Sequence, residues 1–97
     1  MMFTNEKYLT REVADRVPIE MQMLMWNLVE EIEVEKDYLQ IFELIPNSSE
    51  FVEIVHKQEI PEFTFNYRVK NCGIETKMKL YIIDNGDYSM MMFNHEY

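Results

Sequence analysis

Chemistry in this chain would have to come from few side chains, since it holds two histidines and one cysteine. His56 and Glu59, three apart, are one pair that could contribute to a metal site. Asp84 and Asp87 with His95 and Glu96 are another. Neither has the ligand spacing of a known metal motif, and a histidine on an apolar strand face is commonly a hydrogen-bonded core residue. Cys72 has no histidine at a motif spacing, no glycine-rich phosphate loop is present, and no serine, histidine and acid follow a triad order. We therefore expect no enzymatic activity and no cofactor, with a metal-dependent hydrolase as the most remote alternative.

Carboxylates are the abundant functional groups. The formal net charge is −9, and residues 20–62 carry eleven acids against two bases, so the whole imbalance sits in the middle of the chain. Phosphate recognition needs Lys and Arg, which argues against direct nucleic-acid binding and in favour of a basic protein surface as partner. Glu30, Glu31, Glu33 and Glu35 crowd what should be a helix C-terminus, where the dipole disfavours each by a few tenths of a kcal/mol. The ordinary reading is a solvated face. The sharper one is a partner-binding row of Glu30, Glu31, Glu33, Glu35 and Asp37, extended by Glu53 and Glu59 and anchored by Met23 and Trp26. Such a row would imitate nucleic-acid charge and occupy the cationic groove of a nucleic-acid enzyme, with binding that weakens in salt.

These groups need a scaffold, and 97 residues with two Gly and three Pro imply a single domain, 1–97. Pro18 and Glu20 suit a helix start, and Met21, Leu24, Met25, Leu28 and Ile32 give one buried face as far as 34–36. Residues 10–17 could add a short helix capped by Thr10 or Asp15. The remainder reads as strands at 37–45, 51–60, 63–70 and the hairpin 77–93 around Asn85-Gly86. The expected fold is α+β: one main helix packed on an antiparallel sheet of about five strands ending in a β-hairpin.

The hairpin is apolar on both faces. Pairing Asp84 with Asp87 puts Met78, Leu80, Ile82, Met91 and Phe93 on one side, and Tyr81, Ile83, Tyr88, Met90 and Met92 on the other. Either the helix covers one side and an N-terminal arm with Phe3, Tyr8 and Leu9 the other, or the second face self-associates in a homodimer. In the dimer reading the acidity serves only solubility. No apolar run has membrane-helix length and the N-terminus lacks a signal-peptide core, so we expect a cytoplasmic protein without membrane contact.

The stretches "MFTNEKYLTREV", "VPIEMQMLMWNLV", "DYLQIFEL", "HKQEIPEF" and "YIIDNGDYSMMMFNHEY" together resemble the bacterial family called domain of unknown function 960. The resemblance spans nearly the whole chain and is carried best by His-x-Gln-Glu-x-Pro (56–61) and Asp-Asn-Gly-Asp-Tyr (84–88). It implies a small, acidic protein of Gram-positive bacteria, phages and mobile elements, and brings no catalytic residues. That setting favours an accessory protein inhibiting a host enzyme, including anti-CRISPR action on a defence nuclease. Family members tend to carry a Gly where this chain has Glu12-Val13-Ala14, so a turn there is expected to differ.

Overall fold

A computed structural model describes residues 2–97. The elements run β1 (Glu6–Leu9), α1 (Arg11–Arg16), α2 (Ile19–Glu31), β2 (Leu39–Pro46), β3 (Phe51–Gln58), β4 (Phe63–Lys70), β5 (Met78–Asp84) and β6 (Tyr88–Phe93), then a 3-10 turn, Asn94–Glu96. The fold is α+β, with six strands in the order β1-β6-β5-β2-β3-β4. All neighbours are antiparallel except β1, which pairs parallel to β6. The additional strand and its direction correct the antiparallel expectation. Four residues are too short to show a period, and β1 exists through its pairing with β6 rather than through its own pattern.

The helices start for local reasons. The Thr10 hydroxyl accepts the Val13 amide as N-cap of α1, and α1 runs through Glu12-Val13-Ala14 with Val13 fully buried. Pro18 precedes α2, whose buried residues are Met21, Gln22, Met25, Leu28 and Val29. The helix ends at Glu31 rather than 34–36, because Ile32 turns to extended backbone. Lys36 then reaches back to the Glu30 carbonyl at 3.4 Å, giving a free helix-end carbonyl a donor.

Both helices lie on one side of the sheet. Val13, Val17, Met21, Met25, Leu28 and Val29 share a core with Phe42, Leu44, Val52, Ile54, Leu80, Ile82, Met91 and Phe93, all of one strand parity. We call this the inner face. The opposite parity forms an outer face over which no described helix packs. The prediction that the N-terminal arm covers it with Tyr8 and Leu9 is corrected: Phe3 is buried in the inner core, Leu9 shares the inner parity, and Tyr8 stands on the outer face 47% exposed.

Hairpin faces are as expected, but the register differs by two residues, with Asp84 opposite Ser89 and Tyr81 opposite Met92. A shift of two preserves the side-chain alternation. Side chains widen the loop: Asp84 Oδ1 accepts the Gly86 amide and Asn85 Oδ1 accepts those of Asp87 and Tyr88. Gly86 takes a φ of 100°, a conformation that suits glycine.

Asp84 also holds the N-terminal arm. Its Oδ2 accepts the Phe3 amide at 2.8 Å and its Oδ1 the Asn5 side-chain amide at 3.1 Å. Partial burial would raise the carboxyl pKa, but the Phe3, Gly86 and Asn5 hydrogen bonds leave it lowered overall. Replacing Asp84 by Ala should cost about 1–3 kcal/mol and loosen β1, since donors around a half-buried site lose their acceptor. A thermal melt with amide exchange at residues 6–9 tests this, and an unchanged melt would show that the arm is held without Asp84.

Candidate functional site: an acidic end pinned by buried amides

The loop 32–38 and the β3–β4 turn 59–62 meet at one end of the sheet. Three side chains that interrupt apolar strand faces hold them there: Gln40, His56 and Gln58, all essentially without solvent exposure. The backbone dictates their orientation. Gln58 Oε1 accepts the Asp37 amide at 2.9 Å, and its Nε2 donates to the carbonyls of Glu35 at 2.8 Å and Pro61 at 2.9 Å. Gln40 Nε2 donates to the Asp37 carbonyl and to Gln58 Oε1, which leaves Gln40 Oε1 to accept from His56 Nε2 at 2.7 Å. Both amides are saturated, as buried polar groups require. Asp37 Oδ2 adds a bond from the Ile60 amide at 3.2 Å, beside the cis Ile60–Pro61 peptide.

This arrangement assigns work to the His-x-Gln-Glu-x-Pro stretch: His56 and Gln58 point inward and fasten, while Glu59 points out. His56 is stacked on Phe42 at 4.2 Å and 14°, with Phe63 edge-on at 5.2 Å. Because Nε2 must donate to Gln40, the ring is the neutral tautomer with a bare Nδ1, which has no hydrogen-bond partner among the described residues. Protonation would bury a charge in this aromatic slot, and desolvation pushes the His56 pKa down to about 4. The pairing of His56 with Glu59 as metal ligands is thereby corrected, since one is enclosed and the other exposed.

Around this cluster the expected acids divide. Glu31, Glu33, Glu35 and Glu59 are exposed, and Asp37 lies half-buried among them. Asp37, Glu59 and Glu62 line a groove with Tyr38, Lys57 and Ile60, while Glu31 and Glu33 line a second with Leu28, Val34, Phe65 and Tyr67. Ile60 is 77% and Phe65 49% exposed. Sequence reasoning missed Ile60, Val34 and Phe65 as surface groups. Phe65 has inward parity, but β4 is an edge strand and its pair of exposed and half-buried aromatics reaches beyond the helical layer.

Other expected members lie elsewhere. Trp26 packs against the core under Lys7, whose ammonium sits 5.8 Å from the ring centroid and 3.4 Å from Glu30. It is a covered side chain rather than a free anchor, and Glu30 is its neighbour's ion partner. Met23 is 60% exposed on α2. Glu53 has outer parity and approaches Arg68 at 4.0 Å, so the sheet separates it from the helix acids. Tyr81, Ile83, Tyr88, Met90 and Met92 do share the outer face.

Residual catalytic candidates are occupied. His95 Nε2 pairs with Glu12 at 2.9 Å, and Asp84 serves the arm and hairpin. The exposed Cys72 thiol has its pKa pushed up by partial burial and by Glu20, so it is a weakened nucleophile. No group of three or more His, Cys, Asp or Glu gathers to hold a metal among the described residues.

His56 makes stability pH-dependent with a defined sign. Its folded pKa of about 4 lies below the ordinary 6.5, so its contribution is complete above about 6.5 and is lost as pH falls towards 4. The slope attributable to this group approaches ~1.4 kcal/mol per pH unit within that window. Urea titrations should show a flatter acid limb for His56→Gln than for wild type, and equal limbs would refute the assignment. Gln58→Leu strands the Asp37 amide and two carbonyls and should cost about 2–4 kcal/mol, read as a fall in the urea midpoint.

Among the described residues no helix is long and apolar enough to cross a membrane. No curated protein matches the chain. A solved structure, described as that of the protein of unknown function from Enterococcus faecalis, is similar throughout: TM-score 0.88 at 14% identity, covering 100% of this chain and 96% of that one. That likeness shows the shared fold. A family model, Staphylococcal protein of unknown function (DUF960), matches residues 6–96, and the chain belongs to that family.

Proposed function

We propose that the protein is a non-enzymatic binding module that presents Glu31, Glu33, Glu35 and Glu59 to a basic protein surface. The observation that carries this reading is the saturated amide cluster beneath the acidic loop. A loop whose backbone is already fastened by Gln58 and Gln40 presents its carboxylates with little ordering entropy left to lose on binding. Phe65, Val34 and Ile60 stand beside those carboxylates and add apolar contact, so the surface combines long-range steering with a short-range anchor. The partner class we favour is a nucleic-acid-processing or defence enzyme, inhibited at its cationic groove in the manner of a DNA mimic or anti-CRISPR protein of phage or mobile-element type. What supports that class is the charge sign together with the family's resemblance-based setting, and Glu53 takes no part in it.

Reversal of Glu31, Glu33, Glu35 and Glu59 to Lys should leave the circular dichroism spectrum and melting behaviour near wild type, because all four side chains are exposed. Capture of basic proteins from a staphylococcal lysate should fall at least tenfold, and wild-type capture should weaken as salt rises from about 0.1 to 0.5 M. Equal capture by wild type and the reversed variant would overturn the reading.

A further inference from the structure

We propose that the outer face of the sheet is a homodimer interface, through which a second copy of this chain supplies the missing layer. Tyr8, Tyr81, Ile83, Tyr88, Met90 and Met92 form a continuous patch across β1, β6 and β5. Tyr8 meets Tyr88 edge-on at 5.3 Å, and Tyr97 leans on Tyr81 at 5.5 Å, so the rings form a bounded aromatic surface. These residues are absent from the helix-covered core. Tyr and Met are the types that interfaces favour, Met because its flexible thioether adapts to a facing surface.

Charge selects the occupant. The chain carries −9, so two copies repel through most of their surface. The patch is the exception. On the strands that carry the patch its charges are one acid, Glu6, and one base, Lys79, while Asp37, Glu59 and Glu62 border the face at the far end, beyond β2. Glu43 lies 3.6 Å from Lys57 and 3.8 Å from Lys77, so its charge is already offset within one copy. An isologous contact brings a patch against itself, and this near-neutral patch is the one on which that costs little electrostatically.

The dimensions also suit a dimer. Six strands at ~4.8 Å spacing and about six residues at ~3.4 Å give the whole outer face roughly 24 by 20 Å, or about 500 Å² before side-chain relief, of which β1, β6 and β5 supply about half. A standard interface buries ~800 Å² per partner, so this patch is the apolar centre of a contact at the small end of the range, widened by the relief of Tyr8 and Tyr97. Two such faces would stack ~10 Å apart as a sandwich.

Sedimentation equilibrium at micromolar concentration is the test. The wild type should be a dimer that persists at high salt, because apolar burial is not screened. Met90→Glu should weaken it by about thirtyfold or more, since it buries a charge facing its own copy. Tyr8→Lys, at a half-exposed edge position that tolerates a polar group, provides a second disruptive variant should Met90→Glu fail to fold. Phe65→Glu and the fourfold Glu-to-Lys reversal should both remain dimeric, which separates this interface from the β4 groove and from the acidic end. A monomeric wild type overturns the proposal, as does a dimer lost in Phe65→Glu but kept in Tyr8→Lys and a folded Met90→Glu.

Discussion

A six-stranded sheet has two faces, and the α-helices among the described residues that could cover them are one of six residues and one of thirteen. Those helices are spent on one side, where Met25, Val29, Phe42, Leu80, Ile82 and Met91 become wholly buried. At ~25 cal/mol per Å² of apolar surface removed from water, each large side chain placed there contributes about 1.5–3 kcal/mol before entropy is charged against it. The second face keeps Tyr81, Tyr88, Met90 and Met92 partly in water, while Ile83 and Leu39 are buried on it. Most other features follow from this asymmetry, including the strand alternation, the location of Trp26 and the character of the remaining surface.

The polar groups at the acidic end solve a different problem. A loop leaving α2 must cross the end of the sheet to begin β2, and its backbone amide and carbonyls arrive where no strand can pair them. Gln58 and Gln40 take up that role, closing two carbonyls and one amide on either side of Asp37. His56 completes the set as a neutral ring trapped between Phe42 and Phe63, and its proton affinity couples loop anchoring to pH. His56 and Gln58 are thus fasteners, with the Pro61 carbonyl among the groups they hold, while the intervening Glu59 is exposed. The acidic end and the apolar patch share the outer face at opposite sides, the patch on β1, β6 and β5 and the acids beside Ile41, Lys57 and Thr64.

Some of this was legible without coordinates. The Met21–Leu28 spacing, Thr10 as a cap, Pro18 before the main helix, and the alternation in "FTFNYRVK" each express a local preference strong enough to survive packing. The two apolar faces of the hairpin could likewise be assigned, since a register error of two leaves parity untouched. Glu53 was misplaced beside the helix acids because proximity in sequence says nothing about which side of a sheet a residue occupies. Phe65 was read as inward, since parity gives a direction and not the width of the layer above it.

By itself, then, the sequence determined the elements, their buried faces and the sign of the charge, because these depend on residue type and on periods of two or 3.6 residues. Tertiary structure alone decided that β1 joins β6 in parallel, that Gln40, Gln58 and His56 share one cluster, and that no described helix reaches the outer face. These outcomes depend on contacts between residues far apart in the chain. The geometry of such contacts is set by how elements stack in space, and no local pattern encodes it.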